Sequence, residues 1–289
     1  MSNADSLSAW QAFSNGRTAL QDAKTNNAEN EAKWLLQSIT GWRGEAILFD
    51  QSLVLTPEKL AEYENGIARR AAHEPLAHII GEMEFWSLPF AVTPATLIPR
   101  ADSETLVEAV LQKMDKTKTQ TILDLGTGSG CLLLSLLHEC SNLKGVGVDR
   151  SPTALKVAAQ NAKALRLTSR AEFAQSTWFD SVEALDGGFD IIISNPPYIP
   201  SDDMGGLMES VKAFEPHSAL DGGDDGLDAY RAILTDLPCY LASGGLLAFE
   251  IGIAQADDVV ALMTAQNLHT IQKHKDLSGI ERVITGFLH

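Results

Sequence analysis

Short apolar runs recur along the last two thirds of the chain, and they predict strands that alternate with helices. The runs predict seven strands, at 121–125, 144–149, 171–174, 189–194, 245–251, 269–273 and 282–287. Helical patterns lie between most of these runs, as at Cys131 to Leu137. This alternation predicts an α/β fold with a mostly parallel sheet and helices on both faces.

The first 73 residues show a helical pattern instead. Apolar residues at 28–39 form one stripe of a helix, and Thr56-Pro57-Glu58 predicts the start of another, with an N-cap, a first-turn proline and a first-turn acid. Residues 75–100 contain four prolines, and the segment 84–86 faces 89–92 across a short turn, which predicts a hairpin. We therefore expect a helical domain at 1–74, a hairpin-containing linker at 75–104 and an α/β domain at 105–289.

The predicted strand at 121–125 runs directly into a glycine loop, Gly126-Thr127-Gly128-Ser129-Gly130. Glycines let the backbone approach a ligand closely, and the helix that follows offers unpaired N–H groups. The next predicted strand ends in Asp149, an acid that can accept both hydroxyls of a ribose. A dinucleotide fingerprint would need glycine where this chain has Cys131. The pattern therefore weakens the dinucleotide interpretation and suits S-adenosyl-L-methionine, which needs no pyrophosphate site.

The predicted strand at 189–194 ends in Asn195-Pro196-Pro197-Tyr198. Because prolines fix φ and lack an N–H group, the carbonyls beside them are held stiffly and are free to accept hydrogen bonds. Together with the Asn195 amide oxygen they form an acceptor pair for a planar NH2 group, which would be oriented towards an electrophile. The tetrapeptide therefore predicts transfer to an amide or an aromatic amine. A proline-rich turn that only closes a strand is the alternative.

Composition and charge narrow the class of protein. The formal charge of −16 opposes tight, sequence-blind binding to a phosphate backbone, so we expect no direct nucleic-acid binding. The three cysteines lack C-x-x-C spacing and the histidines form no H-E-x-x-H, so we expect core thiols and no metal. No apolar run reaches membrane-spanning length and no signal-peptide core is evident, which predicts a cytoplasmic protein.

Further short motifs lie in the linker and in the late loops. They read Glu-Pro-Leu-Ala-His-Ile-Ile-Gly at 74–81, Glu-Phe-Trp at 84–86, Leu-Ile-Pro-Arg at 97–100, Phe-Glu-Pro at 214–216 and Ala-Leu-Asp-Gly-Gly at 219–223. With Asp-Leu-Gly-Thr-Gly-Ser-Gly at 124–130 and Asn-Pro-Pro-Tyr at 195–198, they cover nearly the whole chain. The chain thus resembles the release factor glutamine methyltransferase family, also called PrmC or HemK.

The resemblance implies a seven-stranded Rossmann-like class I methyltransferase sheet with an antiparallel last strand, a hairpin linker and a small all-α domain that recognises the substrate. It implies methyl transfer from S-adenosyl-L-methionine to the side-chain amide of the glutamine in the Gly-Gly-Gln motif of class I peptide chain release factors, with S-adenosyl-L-homocysteine as product. Gly126 to Gly130 would line the methionine and adenosine, Asp149 the ribose, Trp178 the adenine, and Asn195, Pro196, Pro197 and Tyr198 the substrate glutamine.

Two positions depart from the family pattern. Ala101 stands where the family commonly has proline, and Thr177 where it often has an acid, which leaves an adenine contact by Thr177 open. Trp178 has the alternative of a plain core aromatic. Glu215 and Asp221 have the alternative of solvated loop acids.

Other functions stay open at this stage. Adenine amino groups in DNA or RNA would suit the same acceptor pair, although a base-extracting enzyme usually binds phosphates through basic side chains. A glutamine of a ribosomal protein is a second substrate class. A binding module for S-adenosylmethionine that performs no chemistry is a third alternative. Such a module would be expected to have lost one of the two hydrogen-bond acceptors of the pair. The oligomeric state is open as well.

Overall fold

The computed structural model describes residues 7–289, and they divide into two compact units. One unit comprises the described residues up to Gly81 together with Met208–Phe214, and the other comprises Glu82–Leu207 and Glu215–His289. The first six residues of the predicted helical domain lie outside the described residues. The three-part division of the chain stays a prediction.

The first unit is helical, as the sequence predicts. Its main helices are α1 (Ala9–Asp22), α2 (Ala28–Thr40), α3 (Gly44–Phe49), α4 (Pro57–Ala71) and α5 (Leu76–Ile80). The Thr56 side chain accepts a hydrogen bond from the Lys59 N–H and Pro57 occupies the first turn of α4, which confirms the predicted helix start. Phe13, Leu36 and Tyr63 are among the buried side chains of its core.

A two-stranded hairpin opens the second unit. Strand β1 (Glu82–Phe85) pairs antiparallel with β2 (Leu88–Ala91). Trp86 and Ser87 form the turn, both with positive φ, which is the backbone of a tight two-residue connection. The Trp86 N–H donates to Glu104 Oε1 at 2.7 Å and its indole Nε1–H donates to Glu139 Oε1 at 2.9 Å. The predicted hairpin is confirmed, with Trp86 in the turn instead of the strand.

All seven predicted strands of the main sheet are present. They are β3 (Gln120–Leu125), β4 (Leu143–Asp149), β5 (Ala171–Gln175), β6 (Phe189–Ser194), β7 (Leu241–Glu250), β8 (Leu268–Lys275) and β9 (Glu281–Leu288). The sheet order is β5-β4-β3-β6-β7-β9-β8. Strands β3 to β7 pair in parallel, whereas β9 is antiparallel to both neighbours. The fold class is therefore α/β, with the antiparallel last strand that the resemblance implies.

Helices cover both faces of this sheet. They are α6 (Glu104–Lys113), α7 (Cys131–Glu139), α8 (Pro152–Ala164), α10 (Asp228–Asp236) and α11 (Ala256–Ala265), while the short α9 (Glu209–Phe214) belongs to the first unit. Alternate residues of the strands point to opposite faces, so Ile122 packs with α6 and α7 whereas Leu123 belongs to the cluster that includes α10 and α11. The predicted two-sided covering is confirmed.

The chain leaves β3 for β4 and β5 on one side and returns to β6 and β7 on the other. The order therefore reverses between β3 and β6. In open α/β sheets, ligands bind outside the carboxyl ends of the strands at such a reversal. The glycine loop and Asn195 directly follow β3 and β6, and Asp149 is the last residue of β4, which brings all three to this edge.

The expectation of core thiols is only partly met. Cys140 is buried, but Cys239 is exposed because the 3₁₀ turn Leu237–Cys239 buries Leu237 and leaves the thiol at the surface. Within residues 7–289, no helix is long and apolar enough to cross a membrane. The same residues hold no group of three or more His, Cys, Asp or Glu side chains arranged to bind a metal ion.

Candidate functional site

A cavity opens at the carboxyl edge of the sheet, next to β3, β4 and β6. Its walls are residues 95–100, 126–129, 149–151, 176–178 and 195–197, with Ser103, Cys131, Leu132, Ala154, Pro216, Ser218 and Ala219. Most of the predicted site residues therefore meet in one place. Gly130 and Tyr198 lie outside these walls.

The glycine loop is shaped by backbone conformation. Gly126, Gly128 and Gly130 all have positive φ, between 56° and 81°, a region that side-chain-bearing residues rarely adopt. The N–H groups of Gly126 and Thr127 both donate to the Val148 carbonyl at 2.9 Å. These two donors are therefore engaged within the protein, and the loop offers close approach of its backbone more than free N–H groups. Gly130 is the N-cap of α7, and its positive φ disfavours a side chain at a position where a Cβ would lie only 3.3 Å from Ala158 Cβ.

Asp149 is held by the backbone on both carboxylate oxygens. Oδ2 accepts from the Gly128 N–H at 3.0 Å and Oδ1 accepts from the Ser151 N–H at 2.8 Å. Ser151 in turn caps α8, because its hydroxyl accepts from the Ala154 N–H at 3.2 Å. Each carboxylate oxygen keeps a further lone pair, so the fixed carboxylate can still accept hydroxyl groups from the cavity.

A second acid, Asp124, lies fully buried beneath the loop at the end of β3. Its Oδ2 accepts from the Thr127 hydroxyl at 2.6 Å. Burial raises the pKa of Asp124 to about 7, the Thr127 hydrogen bond opposes this rise, and the nearby Asp149 charge adds to it. Asp124 thus braces the loop from below, whereas Asp149 faces the cavity.

Trp178 and Thr177 both line the cavity. The Trp178 ring is half-buried, and it packs against the apolar cluster on one face of the sheet. A side chain at Gly126 would lie 3.8 Å from Trp178 Cζ3, so the ring closes over the first glycine of the loop. An adenine contact by Trp178 stays a prediction.

The Asn195 side chain lines the cavity, and the described residues engage only the nitrogen end of its amide. Its Nδ2 donates to Ser103 Oγ at 3.5 Å, and a buried carboxyl, Glu250, lies on the same side. Its Oδ1 accepts no hydrogen bond from any residue in the described range 7–289. The Pro196 carbonyl likewise accepts none from these residues. Both acceptors of the predicted pair are therefore unengaged by the described protein groups.

The segment after Pro197 is fixed by a late loop. Ile199 forms a parallel bridge with Asp221, with hydrogen bonds of 3.0 Å from the Ile199 N–H to Leu220 O and 2.8 Å from the Gly222 N–H to Ile199 O. A side chain at Gly222 would come within 2.8 Å of the Pro197 carbonyl, so this position requires glycine. Tyr198 is half-buried behind the cavity, and burial raises the pKa of its hydroxyl to about 12.

Glu215 has a structural role that the loop sequence did not reveal. Its side chain is completely buried, its Oε2 accepts from the Ile98 N–H at 3.2 Å and its Oε1 pairs with the Arg100 guanidinium. The alternative of a solvated loop acid is therefore wrong for Glu215. Asp221 is exposed and closes a turn by accepting from the Ser201 hydroxyl and the Gly223 N–H.

Sequence reasoning missed two polar residues beside Asn195, namely Ser103 and Glu250. Glu250 had a signal that could have been used, because it is the one charged residue in the otherwise apolar segment 246–251. Both side chains are buried. Buried polar groups near a cavity are candidates for a functional role.

Comparison with known proteins places the chain in a family. The family model of the PrmC N-terminal domain matches residues 11–81, and that of the methyltransferase small domain matches residues 101–208. The release factor glutamine methyltransferase of Rhodospirillum rubrum is 44% identical over 269 residues, covering 93% of this chain and 82% of that protein. The chain belongs to the release factor glutamine methyltransferase family. The resemblance read from the motifs is thereby confirmed.

A second relative supports the same family, and a solved structure supports the fold. The release factor glutamine methyltransferase of Bradyrhizobium diazoefficiens is 41% identical over 271 residues, covering 92% of this chain and 90% of that protein. Among solved structures, the hMettl16 catalytic domain in complex with a MAT2A 3′UTR hairpin has a TM-score of 0.58 at 14% identity, over 78% of this chain and 82% of that chain. At that identity the similarity shows the shared fold alone.

The contacts in the structure explain why the late motifs of the release factor glutamine methyltransferase family are present in this chain. Leu97 to Arg100 form part of the cavity wall, and Glu215 holds this segment by the two contacts described above. The motif at 219–223 in turn holds the segment after Pro197. The motifs at 97–100, 214–216 and 219–223 therefore line this cavity or hold the segments that line it.

Proposed function

We propose that this protein transfers the methyl group of S-adenosyl-L-methionine to the side-chain amide nitrogen of the glutamine in the Gly-Gly-Gln motif of class I peptide chain release factors. The observation that carries the proposal is the Asn195 amide at the cavity wall, whose oxygen accepts no bond within the described residues while its nitrogen faces Ser103. The names of the relatives support the substrate class.

The residues present fit the cofactor. The anchored Asp149 carboxylate suits the ribose hydroxyls, the open glycine loop suits the methionine part, and the half-buried Trp178 ring suits a flat base. When bound, S-adenosyl-L-methionine supplies a methyl group on a positively charged sulfur. We assign Gly126 to Ser129, Asp149 and Trp178 to its binding, with Gly130 shaping the loop from behind.

Asn195 and the Pro196 carbonyl would hold the two hydrogens of the substrate amide. An amide nitrogen is a poor nucleophile because its lone pair is delocalised, and two fixed acceptors favour positive charge on that nitrogen as the new bond forms. After the methyl group has arrived, the amide nitrogen is positively charged and strongly acidic, so one of the held protons passes to water and no strong general base is required. Pro197 stiffens the segment, and Tyr198 as a wall for the glutamine side chain stays a prediction.

Substrate recognition is assigned to the helical unit. The cavity can read only the amide and its neighbours, so a folded substrate requires a second contact, and two weak contacts on one chain combine through effective concentration. The helical unit exposes large apolar side chains, namely Trp10 (43%), Trp34 (48%) and Phe49 (79%). Aromatic side chains of this kind are enriched where proteins bind one another.

Transfer of a labelled methyl group tests the function. We expect the full-length protein to label a purified class I release factor, with tandem mass spectrometry placing one methyl on the glutamine of its Gly-Gly-Gln loop. A release factor that carries Gly-Gly-Ala in this loop is the matched control and should stay unlabelled. Label that enters adenine-containing oligonucleotides or a ribosomal protein, with none in the release factor, would overturn the proposed function.

A further inference from the structure

One buried acid at the site has no role in the proposed function. Glu250 is the last residue of β7, and only 3% of its surface is exposed. Strands β6 and β7 pair in parallel with Ser194 opposite Phe249, so the next residues, Asn195 and Glu250, lie side by side at the carboxyl edge of the sheet. The sheet register therefore places a carboxyl directly beside the proposed acceptor residue.

Glu250 has no ion-pair partner among residues 7–289. Burial raises the pKa of Glu250 to about 7, whereas the facing Ser103 hydroxyl, the Arg282 charge and the Asn195 amide lower it and the Asp102 charge raises it. Arg282 is already paired with Asp276 at 3.0 Å and with Asp102 at 3.1 Å. Burial raises the pKa values of Tyr198, Tyr230 and Cys131, and the Glu250 charge adds to each rise.

An uncompensated buried carboxyl costs stability, so a functional reason for it is expected. Its Oε2 atom has no hydrogen-bond partner within the described part of the chain. Apolar residues surround it in the strand, from Leu246 to Phe249 and at Ile251. The polar groups facing the carboxyl include Ser103 and Asn195, which belong to the wall of the cavity.

We propose that Glu250 is a positioning residue that keeps the Asn195 amide turned so that Nδ2 faces the protein and Oδ1 faces the substrate. The two ends of an asparagine amide are nearly the same size, so only the surrounding donors and acceptors decide its orientation. With Ser103 Oγ and the Glu250 carboxyl behind it, a flipped amide would press its oxygen against a carboxyl oxygen. It would also present a donor to a substrate NH2 group that can only donate.

The charge of Glu250 has a second consequence, which rests on the proposed function of Asn195. A carboxylate behind Nδ2 polarises the amide and strengthens Oδ1 as an acceptor, which favours positive charge on the substrate nitrogen. Once protonated, the carboxyl could donate to Asn195 as well as accept from it, and the orientation would no longer be enforced. The methyl-transfer rate should therefore rise with pH as Glu250 loses its proton, near pH 7.

The test compares Glu250→Gln with Glu281→Gln, which neutralises a partly exposed acid on the neighbouring strand β9. We expect Glu250→Gln to lower the single-turnover rate of methyl transfer to a release factor on the order of 10- to 100-fold, because small misplacement of reacting groups costs about 100-fold. Affinity for S-adenosyl-L-homocysteine should stay unchanged, and the rise in rate near pH 7 should vanish. Glu281→Gln should keep both the rate and the pH profile.

A wild-type rate in Glu250→Gln would overturn the proposal, as would a slow variant that keeps the rise near pH 7. A second measurement uses the wild-type protein without Glu250→Gln and without a release factor. The side-chain NH2 signal of Asn195, identified by its loss in Asn195→Ala, should shift in nuclear magnetic resonance spectra of the wild-type protein as Glu250 titrates. A signal that does not move across this pH range contradicts the proposal even if the proposed substrate is wrong.

Discussion

Asn195→Ala is expected to lower the single-turnover rate of methyl transfer about 100- to 1000-fold, the typical cost of losing one preorganised polar contact to a reacting group. The substitution removes the oxygen that would accept a hydrogen of the substrate amide and leaves the glycine loop and Asp149 untouched. Affinity for S-adenosyl-L-homocysteine, measured by calorimetry, should therefore change little. The loss should appear in the rate constant measured with saturating release factor.

The matched control for this variant is Asn142→Ala, which removes an exposed asparagine beside the start of β4. It should keep the wild-type rate. If Asn195→Ala retains a near-normal single-turnover rate, the acceptor pair does not orient the substrate, and the physical account of catalysis is wrong.

Asp149→Ala is expected to weaken binding of S-adenosyl-L-methionine and its product by about 1.5–3 kcal/mol, the range for hydrogen bonds to a charged group. This corresponds to about 10- to 150-fold in the dissociation constant. The carboxylate also accepts from the Gly128 and Ser151 N–H groups, so its loss frees the loop as well as removing the ribose acceptors. Calorimetric titration measures the affinity, and the unfolding midpoint checks that the variant is folded.

Glu172→Ala provides the comparison, because Glu172 is an exposed acid on the adjacent strand β5. Its affinity for the cofactor should equal that of the wild type. An unchanged affinity in folded Asp149→Ala would refute the assignment of Asp149 to the ribose.

The sheet could be predicted from the sequence because its strands are short apolar runs bounded by turn residues. The parallel order of the strands also predicted that Asp149, which ends β4, and Asn195, which follows β6, lie close together. The reason is that the carboxyl ends of parallel strands meet at one edge of the sheet. The hairpin was also predictable, but the position of its turn was not. The turn lies at Trp86 and Ser87, which both have positive φ although neither is a glycine.

The supporting residues could not be predicted in the same way. Glu215 and Ile98 are 117 positions apart, and Ser103 and Asn195 are 92 apart, so no local pattern links them. An acid in a loop resembles any solvated acid until its partner is known, and only the folded chain shows that Glu215 is buried against Arg100. Tyr198 lies outside the lining of the cavity, and its predicted contact with the glutamine side chain stays a prediction.

The central claim is that Asn195 and the Pro196 carbonyl hold a glutamine amide beside a cofactor bound at Asp149. A crystal structure of the protein with S-adenosyl-L-homocysteine and a Gly-Gly-Gln peptide tests this claim most directly. The account predicts the glutamine amide nitrogen at hydrogen-bonding distance, about 2.7–3.2 Å, from both Asn195 Oδ1 and the Pro196 oxygen, with the ribose hydroxyls on Asp149. A glutamine amide bound away from Asn195, or a ribose bound away from Asp149, would contradict it.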